Sequence, residues 1–146
     1  MIDRAALLEL IPHRPPFRFL DEVVEIDGRR VVTTWCADPG AEFFRGHYPG
    51  RPLMPGVLLC ECCFQAGALL IAHARGGWSP SDGIPVITRI TDARFKHMVH
   101  PGDALVIEVT IDDVLDRAYF LTGRIAADGT PVARVSFACM LAEEGR

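Results

Sequence analysis

The sequence predicts an α+β domain in which an antiparallel sheet wraps around one long helix. Residues 57–75 are apolar almost all the way round, so a helix there must be enclosed on several sides. About six strand-like runs flank this stretch, and short turns containing Gly, Pro or Asp join most of them as hairpins. Strands linked by hairpins are antiparallel, and a sheet of them can enclose the helix.

The strands and turns can be placed one by one. The predicted strands cover residues 17–26, 30–37, 84–97, 104–114, 117–127 and 131–142. The turns between them fall at Asp27-Gly28, Pro101-Gly102-Asp103, a tight connection near Asp116, and Asp128-Gly129. The helix begins at residue 57 and ends before Gly76-Gly77, because glycine readily takes the left-handed conformation that closes helices.

Two further segments complete the expected architecture. Residues 1–10 are predicted to form a short helix with leucines on one side, and Asp3 can cap it. The proline-rich run 11–16 then breaks the chain. Residues 38–56 contain four prolines and four glycines, which predicts a long structured loop of the kind that carries function.

Composition limits the classes of function. At 146 residues the chain has the length of one domain, and we assign residues 1–146 to it. The formal net charge of −4 argues against nucleic-acid binding, which depends on a basic surface. Glu61, Gln65 and His73 interrupt the apolar helix, so we expect a core helix and no membrane insertion. No secretory signal is visible, which predicts a cytoplasmic protein.

The five cysteines are expected to be small apolar side chains in a reducing compartment. Cys60, Cys62 and Cys63 lie within four helical residues, where neither a tetrahedral metal cage nor a set of disulfides closes easily. Cys36 and Cys139 lie far from them in sequence. We therefore expect neither a metal site nor a cofactor.

The long loop holds the first candidate catalytic group, His47. Glycines and prolines on both sides limit the freedom of this imidazole, and histidine can take a proton from an acidified carbon near neutral pH. Gly56 stands where the helix begins, so its amide is available to polarise a thioester carbonyl that approaches closely. From spacing alone, a turn histidine with only a structural hydrogen bond is an equally good interpretation.

Glu61 is the second candidate. It lies about one turn into the helix among apolar neighbours, where desolvation raises the pKa of a carboxyl group and favours the protonated acid. The alternative is a partly exposed glutamate near a helix N-terminus, where negative charge is favourable. Base, amide and acid fall within fifteen residues, in an order that one loop-to-helix junction can assemble.

The segment from Phe44 to Leu58 closely resembles the signature of bacterial (3R)-hydroxyacyl-[acyl-carrier-protein] dehydratases of the FabZ/FabA type. The resemblance continues through Glu61 to Gln65-Ala66, where that family has an acidic residue and a helix glutamine. Two further motifs of the family resemble residues 11–14 with Phe17 and Asp21, and residues 93–96 with Pro101-Gly102-Asp103.

This resemblance implies a hot-dog fold, a homodimer or trimer of dimers, and dehydration of a 3-hydroxyacyl group on acyl carrier protein to a trans-2-enoyl thioester. It implies that His47 is the base and Glu61 the acid, and that the two meet across a dimer interface. It also implies that Gly56 binds the thioester carbonyl. These expectations place the chain in fatty-acid or related acyl-chain synthesis.

The chain departs from the family pattern around the acid. Cys62-Cys63-Phe64 stand where small residues and methionine are common, Tyr48 replaces a common phenylalanine, and Pro15 replaces an aromatic residue. We expect Tyr48 and Phe64 to contact substrate, and the large Phe64 ring to shorten or reshape the acyl tunnel. These departures bear on the length of the acyl chain and on the pathway more than on the type of reaction.

Arg89, Arg94 and Lys96 form a basic stretch in this acidic chain. It is either a solvated strand face or a surface that docks an acidic carrier protein. The other histidines, which are His13, His73, His97 and His100, lie at element edges or near the helix end and are expected to be structural or solvated.

Other functions also suit a hot-dog domain. A thioesterase needs an activated water, which His47 and Glu61 can supply. An enoyl-thioester hydratase usually carries its acid before the histidine, whereas here Glu61 follows fourteen residues after it. A non-catalytic module that binds acyl thioesters is the third alternative, but no expected catalytic residue is missing.

Overall fold

The computed structural model describes residues 3–79 and 81–143. Its helices are α1 (Arg4–Leu7), which continues into a 3-10 turn (Leu8–Leu10), α2 (Phe43–Gly46) and α3 (Gly56–Ala74). Its strands are β1 (Glu22–Ile26), β2 (Arg30–Cys36), β3 (Ile84–Phe95), β4 (Ala104–Leu115), β5 (Ala118–Ala127) and β6 (Thr130–Ala142). The α+β class is confirmed.

All six strands form one antiparallel sheet in the order β1-β2-β4-β5-β6-β3. The turn before β5 contains Asp116 (φ 56°) and the turn before β6 contains Asp128 (φ 49°), a left-handed conformation that aspartate tolerates better than most residues. β3 does not pair with its neighbour in sequence. It follows α3 and pairs with β6, so this strand of 12 residues forms one outer edge of the sheet.

α3 packs against the inner face of the sheet at very short range. A Cβ atom on Gly123 of β5 would lie 2.6 Å from the Cys63 sulfur, and one on Gly67 would lie 3.1 Å from the Phe137 ring. Glycine at both positions therefore allows helix and sheet to approach closely. The helix ends at Ala74, and Gly76 and Gly77, which follow it, have positive φ. Its predicted bounds are correct to within one residue.

By length and composition alone, α3 would also suit a membrane span, with a mean hydropathy of 1.7. In the folded protein, however, 67% of that stretch is buried. The core helix of a compact domain meets the same criterion of length and hydropathy, and the enclosing sheet supplies the apolar surroundings that this helix requires.

The predicted first strand is wrong at its start. The strand was expected from residue 17, but β1 begins at Glu22. The backbone of residues 17 and 19 forms hydrogen bonds with a side chain instead of with a neighbouring strand. The Phe19 N–H donates to Gln65 Oε1 at 2.8 Å, and Gln65 Nε2 donates to the Phe17 carbonyl at 2.8 Å. The buried glutamine thus takes the place of a partner strand.

The predicted loop 38–56 contains one helical turn that the sequence did not indicate, α2. The N-terminal helix is shorter than expected, since α-helical geometry ends at Leu7 and a 3-10 turn follows. The cap is confirmed, because Asp3 accepts hydrogen bonds from the backbone of Ala5 and Ala6. Residues 1 and 2 of the predicted helix lie outside the described residues.

Candidate active site

His47 directly follows α2, and a backbone carbonyl fixes its ring. The His47 N–H closes the helical turn on the Phe43 carbonyl at 3.0 Å. Nδ1 of the half-buried imidazole lies 2.7 Å from the Leu53 carbonyl oxygen. A carbonyl only accepts, so Nδ1 carries the proton in this bond. Nε2 of the neutral ring is then the unprotonated nitrogen, which a general base requires.

Tyr48 shapes the loop beside this histidine. Its φ of 60° is unusual for a bulky residue, and its ring centroid lies 4.6 Å from that of His47. The side chain is 60% exposed and lines an open cavity of about 830 Å³ together with Arg51, Leu53 and Met98. Tyr48 therefore lies beside His47 and at the rim of a cavity.

Gly56 is the first residue of α3, and Pro55 precedes it at the cap position without a side-chain cap. Within the described ranges, no acceptor is bonded to the Gly56 N–H. A cavity of about 270 Å³ opens at this amide, between Leu53, Phe95 and Met98. A Cβ on residue 56 would lie 3.1 Å from the Phe95 ring, so a larger residue here would press against that ring at the cavity.

The Glu61 side chain is 20% exposed and lies one turn further along α3. Burial raises the pKa of its carboxyl group above the usual range, and a hydrogen bond from Gln65 Nε2 at 3.3 Å opposes part of that rise. Gln65 is itself fully buried and held by the backbone of residues 17 and 19. The Glu61 carboxyl group therefore occupies a desolvated position with a fixed polar neighbour.

His13 lies closer to the acid than the sequence indicated. Its Nε2 is 3.6 Å from Glu61 Oε1, and its Nδ1 is buried with no hydrogen-bond partner among the described residues. Burial, and the Arg14 charge next to it, lower the pKa of His13, which favours the neutral ring. The motif of residues 11–14 was the available signal, but sequence distance concealed the contact with Glu61.

One chain does not join the two predicted catalytic groups. Across residues 3–79 and 81–143, no hydrogen bond or ion pair connects His47 with Glu61. The loop brings Leu53, whose carbonyl accepts a hydrogen bond from His47 Nδ1, to the cavity at Gly56, whereas the Glu61 carboxyl contacts Gln65 and His13. Within a single chain, the predicted base belongs to the loop and the predicted acid to a separate polar cluster.

The remaining predicted site residues lie further out. Phe64 is half-buried and packs edge-on against Phe137, with ring centroids 4.9 Å apart. Arg89 and Arg94 are exposed on the edge strand β3, and Arg94 is paired with Asp92 at 3.1 Å. Lys96 is exposed just after β3 and lines the cavity at Gly56.

The cysteines around the acid have the burial expected of small core residues. Cys60, Cys62 and Cys63 are buried free thiols, and burial raises their pKa. Burial likewise raises the pKa of Cys139 to about 11. Thiols with raised pKa stay protonated, so they are poor nucleophiles. The described part of the chain contains no group of three His, Cys, Asp or Glu that could hold a metal ion.

Known proteins resemble this chain over most of its length. The family model of the FabA-like domain matches residues 11–136. A 3-hydroxyacyl-[acyl-carrier-protein] dehydratase FabZ from Anaeromyxobacter dehalogenans (strain 2CP-C) is 39% identical, over 100% of this chain and 94% of the relative. A 3-hydroxyacyl-[acyl-carrier-protein] dehydratase FabZ from Herpetosiphon aurantiacus is 41% identical, over 87% of this chain and 89% of the relative.

Among solved structures, the dehydratase heterocomplex ApeI:P from Xenorhabdus doucetiae matches with a TM-score of 0.79. The match covers 99% of this chain and 94% of that chain, at 14% sequence identity. At this identity the likeness concerns the fold alone. The sheet wrapped around α3 is the hot-dog fold that the sequence predicted.

Proposed function

Because this chain belongs to the FabA-like family, we propose that it removes water from (3R)-3-hydroxyacyl thioesters on acyl carrier protein, in fatty-acid or related acyl-chain synthesis. One observation carries the proposal. A carboxyl group whose pKa is raised by burial lies one turn behind a helix-start amide that has no acceptor. The carboxyl group can protonate a leaving hydroxide, and the amide can stabilise an enolate.

His47 is the proposed base. The bond from Nδ1 to the Leu53 carbonyl leaves Nε2 with a lone pair. Nε2 takes a proton from C2 of the acyl chain, and the electron pair of the C2–H bond moves toward the thioester carbonyl. The fixed tautomer matters because a ring that turned over would present a proton instead of a lone pair.

Gly56 is the proposed donor to the developing oxyanion. Its N–H is one of the first amides of α3, which have no carbonyl partner within the helix. The positive end of the helix dipole adds to the hydrogen bond. A carbonyl oxygen that enters the cavity beside Phe95 would accept this bond, and C2 would become more acidic.

Glu61 is the proposed acid. Its carboxyl group protonates the C3 hydroxyl, the C3–O bond breaks, and water leaves as the C2–C3 double bond forms. His47 then carries the proton from C2 and Glu61 is ionised, so transfer of that proton back to Glu61 resets the site. The reaction yields one enoyl thioester and one water.

We propose that two copies complete the site. Val57 is 75% exposed, and together with Glu61 and Phe64 it forms a face of α3 that the sheet leaves partly uncovered. β3 beside it is a long edge strand with exposed Ile87 and Ile90, an arrangement that invites pairing with another strand. A partner packed there would cover this apolar surface and bring a second His47 loop near the acid.

A direct assay tests the function and its alternatives. The purified protein is mixed with a 3-hydroxyacyl thioester on carrier protein, and both enoyl absorbance and free thiol are followed. Enoyl product supports dehydration, whereas free thiol would identify a thioesterase. Neither signal, together with tight binding of the substrate, would identify a non-catalytic module. The Glu61→Gln variant serves as control, since enoyl formation must depend on the acid.

A further inference from the structure

The two oxygens of the Glu61 carboxyl group have different surroundings. Oε1 accepts a hydrogen bond from Gln65 Nε2 at 3.3 Å and also faces His13 Nε2 at 3.6 Å. Within residues 3–79 and 81–143, no hydrogen bond reaches Oε2. One oxygen is therefore held by the protein, and the other is left to a substrate.

The backbone fixes which end of the Gln65 amide faces the acid. The Phe19 N–H only donates and the Phe17 carbonyl only accepts, so the amide oxygen must face the first and the amide nitrogen the second. The same nitrogen presents its other hydrogen to Glu61 Oε1. Since Oε1 is the accepting oxygen of the neutral carboxyl group, the acidic proton belongs on Oε2.

His13 is the second group that faces Oε1. Nδ1 of this half-buried ring has no hydrogen-bond partner among the described residues, so Nε2 is the nitrogen with a polar neighbour. A lone pair on Nε2 would oppose the lone pairs of Oε1, whereas an N–H there points at an acceptor. The neutral ring therefore carries its proton on Nε2, which also avoids burying an unpaired N–H at Nδ1.

Burial and Arg14 keep this ring neutral. The Arg14 guanidinium is held beside His13 by hydrogen bonds to the Ile11 carbonyl at 2.6 Å and the His13 carbonyl at 2.8 Å. Burial, and then the Arg14 charge, lower the pKa of the His13 imidazole. A protonated ring would be a cation 3.6 Å from the Glu61 carboxyl and would favour loss of the acidic proton before substrate arrives.

The separation of 3.6 Å makes this contact weak before the reaction and stronger during it. It is longer than a hydrogen bond, so the N–H does little for the neutral carboxyl group. When Oε2 gives its proton to the C3 hydroxyl, the C3–O bond breaks, water leaves, and negative charge spreads over both carboxylate oxygens. A hydrogen bond to a charged oxygen is shorter and stronger. An interaction that strengthens in this way raises kcat and leaves substrate binding unchanged.

We propose that His13 is a positioning residue for the acid: its Nε2–H holds Oε1, leaves the reacting proton on Oε2 and stabilises the carboxylate that forms. This inference rests on the proposed function. The other titratable neighbours of Glu61 on α3 are the Cys60 and Cys62 thiols. Burial raises the pKa of both, so they stay protonated and add no charge at the acid.

Two variants of His13 test the role. His13→Phe keeps an aromatic ring beside Phe17 but removes the N–H, whereas His13→Gln keeps an N–H donor. With a carrier-linked 3-hydroxyacyl substrate, His13→Phe should lower kcat about tenfold or more at unchanged KM. The alkaline limb of its kcat profile should move to higher pH, because the ionised Glu61 has lost a donor. His13→Gln should restore both. His73→Phe is the matched control, since His73 lies in the last turn of α3.

Three results would overturn the positioning role. A limb that moves to lower pH would mean that His13 accepts the Glu61 proton instead of donating to the anion. Equal kcat in His13→Phe and wild type would remove His13 from the mechanism. A loss of kcat that follows the melting temperature in both variants, with the alkaline limb in place, would make the residue structural. If His13→Phe does not fold, His13→Leu repeats the test.

A failure of the proposed function can be told apart from a failure of this inference. A wild-type protein that forms no enoyl product refutes the dehydratase assignment, whatever His13 does. Infrared spectra of the protein without substrate then still follow the Glu61 carboxyl, whose band is the one missing in Glu61→Gln. This carboxyl should stay protonated to higher pH in His13→Phe than in wild type or His13→Gln. Equal titration in His13→Phe and wild type would overturn the inference.

Discussion

His47 and Glu61 lie in different surroundings, one in a partly exposed loop and the other in the core helix. His47 belongs to a loop, where one hydrogen bond to the Leu53 carbonyl and contact with the exposed Tyr48 ring fix the imidazole. Glu61 belongs to the core helix, where burial and Gln65 fix the carboxyl group. A base needs an accessible lone pair, whereas an acid at neutral pH needs desolvation to keep its proton. The two settings suit the two proposed roles.

The largest expected effect comes from removing the base. His47→Ala should lower kcat by about two to four orders of magnitude, because no other group is proposed to take the C2 proton. Dehydration of the carrier-linked substrate measures the effect, and circular dichroism checks that the fold is intact. Turnover near that of wild type would exclude His47 as the base.

Glu61→Gln should also abolish dehydration, but through loss of the proton donor instead of the base. The amide keeps the size of the side chain and its contact with Gln65, yet it cannot donate a proton as a carboxylic acid. If the mechanism is stepwise, exchange of the C2 proton with deuterated solvent survives in Glu61→Gln and disappears in His47→Ala. Mass spectrometry of recovered substrate distinguishes the two. Dehydration by Glu61→Gln at the wild-type rate would transfer the acid role to another group.

Mixing the two inactive variants tests whether the site is shared. A mixed dimer of His47→Ala and Glu61→Gln contains one intact and one doubly altered site if base and acid come from different chains. Random exchange then restores roughly a quarter of wild-type activity, since half the dimers are mixed and half their sites intact. No recovery after confirmed subunit exchange would contradict a shared site.

Gly56→Ala should have a smaller effect. The added Cβ would lie 3.1 Å from the Phe95 ring, so the ring or the helix start must shift at the mouth of the cavity. We expect kcat/KM to fall about tenfold or more, since the amide is obstructed but remains present. Gly28→Ala is the control, because its Cβ meets no atom within 4 Å. Adding Phe95→Leu to Gly56→Ala should restore part of the activity.

The parts of the fold that could be predicted from the sequence are those with local signals. The bounds of α3 were predictable to within a residue, because an uninterrupted apolar stretch and the closing pair Gly76-Gly77 are local signals. The start of β1 was not, since the bonds from Gln65 to residues 17 and 19 span more than forty positions. Contacts that depend on strand register or side-chain reach have no local signature.

The same limit applies to the charged residues. His13 was assigned a structural or solvated role, yet it lies 3.6 Å from Glu61 Oε1. The pairing of Arg124 with Arg134 becomes visible only when β5 and β6 are aligned. In contrast, the sequence could indicate His47 and Glu61 as candidates, because the motif around them is contiguous in sequence.

The smallest expected effect concerns stability, because Glu61→Gln and His47→Ala should change the melting temperature in opposite directions. Burial places the pKa of the Glu61 carboxyl in the folded protein above its value of about 4.5 in the unfolded chain. The folded state therefore binds this proton more tightly, and stability is lost as pH rises from the unfolded value through the folded one. Glutamine has no proton to lose, so Glu61→Gln avoids this penalty.

The melting temperature of Glu61→Gln should accordingly match that of wild type near pH 4 and exceed it at pH 7 to 8, by about 2–4 °C for each kcal/mol of desolvation relieved. His47→Ala should instead lower it slightly at neutral pH, because the Leu53 carbonyl loses its donor. Differential scanning fluorimetry across pH 4–8 measures both curves. His13, the other titratable group at the acid, is present in both proteins, and a His13→Gln background controls for its charge. A gap between Glu61→Gln and wild type that stays constant with pH would mean that the acid is not desolvated, and the contrast between the two sites would then fail.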